Sequence, residues 1–173
     1  MARLETSSES AASRHPRIIR DVLALDTSST VAIIGHPLHT MLVHFPIALV
    51  FATIGCDLLY WYTGDGFWQR AGVWAAGATF WSGLLAAAIG TIELLGAAGI
   101  RGRVASWSHA VAAMTLVAIA GANWGMRMLD PTTILPHGLA LSALGSVMVG
   151  FAGWHGGKLV FDHGVGILVS SRD

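Results

Sequence analysis

"LHTMLVHFPIALVFATIGCDLLYWY", residues 38–62, decides the fold. It holds no lysine or arginine, and its one acidic residue is Asp57. About 20 predominantly apolar residues span the hydrocarbon core of a bilayer as a helix. Only a helix or a closed barrel satisfies the backbone there. A 25-residue apolar run therefore predicts a transmembrane helix. Reading on from it, three more runs qualify, at about 68–95, 104–129 and 133–154. They are separated by "TGDG", by "GAAGIRGR" and by Asp130-Pro131, and Gly156-Gly157 is the expected stop of the last. Short connections make sequence neighbours antiparallel, so the expected fold is all-α: an up-down four-helix transmembrane bundle.

Composition agrees. The chain has 173 residues, 54% hydrophobic and only 12% charged. A soluble domain carries about 25% charged residues. The net charge of zero gives no electrostatic case for nucleic acid. One cysteine, Cys56, excludes an internal disulfide and a cysteine-ligated iron–sulfur cluster; it reads as a packing residue. No C-x-x-C-H is present, so no covalent haem attachment is expected. Residues 1–34 read as a polar tail without the apolar core of a signal peptide. Residues 35–155 form the membrane domain, and residues 156–173 a C-terminal cap.

The basic residues divide unevenly. Arg3, Arg14, Arg17, Arg20, Arg101, Arg103, Lys158 and Arg172 fall on one side, Arg70 and Arg127 on the other. By the positive-inside rule both termini are expected in the cytoplasm, with the chain multi-pass in a cytoplasmic (inner) membrane. Trp61, Tyr62, Trp68 and Trp124 then form an outer aromatic belt, and Trp107 and Trp154 an inner one. Asp57 reads as an interface cap at the outer end of the first span. The glycines of the second span read as close-packing positions.

The same topology gathers His36, His39, His44, His109, His155 and His163, with Glu93, at the cytoplasmic end. His44 and His109 lie at similar depth, roughly 7–9 Å below the starts of helices one and three. Those helices are diagonal in an up-down bundle. Two neutral imidazoles facing across the core are the ligand set of a b-type haem. His44 and His109 are thus the expected axial pair, with His39 and His163 in reserve. Pro46 is expected to kink the helix and aim His44 inward. His36 and His39 ligate a second haem or a metal, or cap the helix start beside Pro37, and the capping or structural role is favoured. Glu93 orients a ligand, exchanges protons with a quinone or lies at the interface. Arg101 and Arg103 are positive-inside residues placed to pair with haem propionates.

"GHPLHTMLVHFPIAL" and "GGKLVFDHGVGI" together resemble a bacterial family of four-helix membrane proteins, domain of unknown function 2231. Its members read HPLHP-x-LVHFPI near the first span and GG-x-LV-x-x-HGVGV after the last. The likeness covers residues 35–168, with Thr40 in place of the second proline and Lys158 where an acid is common. The family is similar in layout to diheme cytochrome b proteins, and relatives joined to Rieske-type domains imply electron transfer. The positions it matches are His36, His39, His44, His109 and His163.

The leading expectation is a subunit binding one or two b haems. It would pass electrons between quinone and a partner such as a cytochrome or Rieske-type protein, inside a larger complex and without catalysis of its own. The rival is a cofactor-free structural or assembly subunit packed against other membrane chains. A metal transporter ranks last, because the midplanes are almost wholly apolar.

Overall fold

The computed structural model describes residues 27–34 and 36–167. Most of the N-terminal tail, with His15 and the arginines at 3, 14, 17 and 20, lies outside the described residues, as does Arg172.

Two short strands, β1 (Ala32–Ile33) and β2 (His36–Pro37), pair antiparallel ahead of the first helix. Then come α1 (Leu38–Leu42), α2 (His44–Thr63), α3 (Gly66–Gly96), α4 (Ala98–Arg101), α5 (Val104–Leu129), a 3-10 turn at Pro131–Ile134, and α6 (His137–Phe161). Four of these segments are long and apolar enough to cross a membrane: Leu38–Thr63, Gly66–Gly96, Val104–Leu129 and His137–Phe161. Around the bundle each helix packs on the next in the order α2, α3, α5, α6, and α6 closes on α2. Helices α2 and α5 are therefore diagonal, as an up-down chain requires.

The connections have local causes. Gly64, at φ +67°, ends α2 in the left-handed region that a glycine enters without strain. Asp65 caps α3 by accepting a hydrogen bond from the Phe67 amide at 2.8 Å. Val43, between α1 and α2, keeps a helical backbone, and its amide bonds the His39 carbonyl at 3.1 Å, so the two run on as one span. Helix α6 starts later than the sequence suggests and runs through Gly156 and Gly157 to Phe161. A backbone shielded from water keeps its internal hydrogen bonds, so glycine ends a helix less readily there.

Side chains are distributed inside out. Phe51, Trp74, Trp81, Val111, Val147 and Phe151 are exposed on the flanks. The interior is built from small residues such as Ala76, Ala86, Ala112, Ala120 and Ala152. Lipid supplies no hydrophobic drive between helices, so close approach of small residues provides the packing. Trp124 belongs to this packing and departs from the expected belt: it stacks on Phe80, with ring centroids 5.8 Å apart, and covers Gly77.

The segments flanking the bundle meet at one mouth. The Thr27 hydroxyl donates to the Gly164 carbonyl at 3.1 Å, and the Gly166 amide donates to the Thr27 carbonyl at 3.0 Å. Both Thr27 and Ser29 are fully buried.

Candidate functional site

Below that mouth two histidines face one another, but they are His39 and His109. Their ring centroids lie 6.3 Å apart and the planes cross at 78°. His39 comes from α1 and His109 from α5, so the pair does bridge the diagonal. His44 is exposed on the flank, where its Nδ1 lies 3.3 Å from the Met41 carbonyl of its own turn. The expected His44–His109 pair is therefore replaced by His39–His109. Residues five apart on a helix point about 140° apart, so His39 and His44 cannot both face inward. The inward position belongs to His39, and the proline at 46 does not turn His44 toward the core.

Each ring is held the same way. His39 Nδ1 donates to the Ala86 carbonyl of α3 at 2.9 Å. His109 Nδ1 donates to the Ala152 carbonyl of α6 at 3.1 Å. A carbonyl only accepts, so the neutral rings carry their protons on Nδ1 and keep the Nε2 lone pairs free. Four residues beyond each acceptor stands a glycine that makes room for the ring. A Cβ on Gly90 would come within 2.6 Å of His39, and one on Gly156 within 3.0 Å of His109. The sequence carries this device twice, as "AAAIG" at 86–90 and "AGWHG" at 152–156.

Two cavities meet at the pair. The larger, about 300 Å³, runs along the bundle axis between apolar walls such as Pro46, Val117 and Val149. The smaller, about 90 Å³, lies between α3 and α5. His39, His109 and Glu93 line both. Glu93 accepts a hydrogen bond from the Ser29 hydroxyl, which ties the N-terminal segment to the cavity wall.

The other expected site residues lie elsewhere. His36 is exposed and bonds the Ile34 carbonyl at 2.7 Å. His163 is half-buried on the turn after α6, outside the walls of both cavities. Arg101 donates to the Leu95 carbonyl at 3.1 Å and Arg103 to the Gly99 carbonyl at 3.0 Å, so both fold onto their own loop.

At the opposite end of the bundle the structure holds a feature the sequence reading missed. Arg127 and Asp57 form a fully buried bidentate ion pair, with both N–O distances 2.7 Å. Arg127 Nε also donates to Asn123 Oδ1 at 2.8 Å. The Ser142 hydroxyl donates to Asp57 Oδ2 at 2.6 Å and accepts from Asn123 Nδ2 at 2.9 Å and from Arg127 at 3.1 Å. Gly72 and Gly138 leave the space that the guanidinium fills. Asp57 is thus no interface cap and Arg127 no outer-loop charge. The signal was present, since ionisable groups inside an apolar span are costly and pair with one another.

The comparisons fit this architecture. The model of the family described as "Predicted membrane protein (DUF2231)" matches residues 35–168. The chain belongs to this family. No curated protein and no solved structure matches it. The DUF2231 match takes in every element from β2 to α6, and with them both histidines, both glycine cradles and the ion pair.

Proposed function

We propose that this DUF2231 chain is a b-haem-binding membrane subunit that passes electrons between quinone in the bilayer and a partner redox protein. His39 and His109 are the residues that would hold the haem iron. The observation that carries this reading is the spacing of the two anchored rings. Two nitrogen–metal bonds of about 2 Å, plus about 1.1 Å from each nitrogen to its ring centre, put facing centroids roughly 6.2 Å apart. The rings stand at 6.3 Å.

The surroundings fit the group. Among the described residues no cluster of three or more His, Cys, Asp or Glu stands at ligating distance. A bare zinc ion takes about four protein ligands, whereas a haem iron brings four in-plane nitrogens and needs two more. A flat ring passing between the histidines enters both cavities, since both open at the pair. When bound, a haem supplies one-electron redox chemistry. The chain's own residues do the rest. His39 and His109 present Nε2, the Ala86 and Ala152 carbonyls fix the tautomer, Gly90 and Gly156 set the ring positions, and the apolar walls exclude water.

Orientation supports a cytoplasmic site. With Arg127 consumed by Asp57, the far end of the bundle keeps only Arg70, so the basic bias of the terminal side sharpens. A reporter active only outside the cytoplasm, fused to the C-terminus, is expected to stay silent. The decisive experiment is the visible spectrum of purified protein. We expect a Soret band and a reducible α-band, lost in His39→Ala and in His109→Ala and retained in His44→Ala. A colourless preparation, or full haem in the His39→Ala/His109→Ala double variant, overturns the reading and favours a cofactor-free subunit.

A further inference from the structure

One residue on the wall of the smaller cavity carries a buried polar atom with no hydrogen-bond partner. Ser106, on α5, is 3% exposed, and its Oγ has no hydrogen-bond partner, alone among the buried side-chain polar atoms of the described residues. Other hydroxyls in the spans donate back to the carbonyl one turn earlier. Ser108 bonds Val104 at 3.2 Å, Thr91 bonds Ala87 at 2.8 Å and Thr115 bonds Val111 at 2.8 Å. Ser106 does not, and it lines the branch of about 90 Å³ together with His39, His109 and Glu93. A buried hydroxyl left unsatisfied is costly and points to a missing partner.

We propose that Ser106 donates its hydroxyl proton to an oxygen-bearing substituent on the rim of the flat group held between His39 and His109. This rests on the haem reading above. The bond fixes how the group is turned in its own plane, which two axial ligands alone leave free. The loop arginines, folded onto carbonyls of Leu95 and Gly99, do not take that role. Glu93 stands on the wall of the same branch. Ser106 is therefore a positioning and selectivity residue.

The test compares two probes on the full chain in detergent. Iron protoporphyrin carries two acid substituents; iron etioporphyrin carries only alkyl groups. Ser106→Ala is expected to weaken iron protoporphyrin about tenfold, the worth of one such bond, and to leave iron etioporphyrin unchanged. Unchanged etioporphyrin binding also reports that the variant is folded. Ser108→Ala, which breaks only a helix back-bond, is expected to change neither. Equal weakening of both probes, or weakening of neither, overturns the role of Ser106 while a bis-imidazole spectrum in the wild type keeps the haem reading standing. A wild type that binds neither probe ends both.

Discussion

The two ends of this bundle bury polar groups in opposite ways. At the far end Asp57, Arg127, Asn123 and Ser142 bond one another and are between 1% and 4% exposed. The void beside them is only about 20 Å³, the size of one water. At the mouth, His39 and His109 are tied by one nitrogen each, Ser106 by nothing, and about 300 Å³ of space adjoins them. A closed network specifies which helices meet and in what register. An open one leaves the space and the free nitrogens that the proposed haem would use. Polar residues in an apolar domain are thus sorted by what remains unbonded after folding, not by their charge.

The largest expected effect comes from opening the closed end. Asp57→Ala strands a buried guanidinium and is expected to destabilise the fold by about 3–5 kcal/mol. Asp57→Leu combined with Arg127→Met removes both charges and is expected to recover most of that loss. Thermal unfolding in detergent measures both variants. If the double variant is no better than the single, the pair does more than pack, and the contrast between the ends blurs.

Crowding the open end comes next. Gly90→Ala drives a methyl into His39 and is expected to cost about 1–3 kcal/mol, as overpacking does. Under the proposed function, it is also expected to reduce the haem retained per chain. Gly156→Ala, with its wider 3.0 Å approach to His109, is expected to do the same more weakly. Equal behaviour of the two would show that ring crowding does not control the site.

Ser142→Ala sharpens the comparison from the other side. It removes one node of the closed network and is expected to cost roughly 0.6–1.7 kcal/mol, the range for hydrogen bonds between membrane helices. Under the proposed function, the haem spectrum is expected to be the same in the variant as in the wild type. A spectral change would mean that the two ends communicate.

The smallest effect lies outside the spans. Asp130 accepts hydrogen bonds from the Thr132 hydroxyl at 2.8 Å and the Thr132 amide at 2.9 Å, and these hold its carboxyl below the ordinary 3.8. A depressed folded-state value means that the turn is favoured above pH 3.8 and loses that support as pH falls through the lowered value. Asp130→Asn is expected to remove this acid dependence without touching either buried cluster. Acid unfolding of the two proteins, followed side by side, checks it.

How much of this was legible follows from the kind of signal each feature leaves. A membrane span is a property of a run, so "LHTMLVHFPIALVFATIGCDLLYWY" announces its helix whatever its neighbours do. The histidine pair depends on rotation about a helix, and that rotation turns His39 inward and His44 outward. Counting depth along the chain reaches His109, which does pair with a histidine, but it cannot see which side of a helix His44 faces. Arg101 and Arg103 looked placed for an anion because proximity in sequence says nothing about a carbonyl one turn away. Asp57 and Arg127 are 70 residues apart, and each alone looks like an ordinary interface residue. Only the fold brings them together.

The repeated histidine cradle has a consequence for how the molecule divides. His39 leans on α3 and His109 on α6, so each antiparallel helical hairpin carries one complete half-site. The seam between the halves passes through α4 and its flanking loop, where Arg101 and Gly102 are exposed. A chain severed there keeps every histidine–carbonyl bond within one fragment. The two fragments should reassemble when expressed together, and each alone would offer iron a single axial nitrogen.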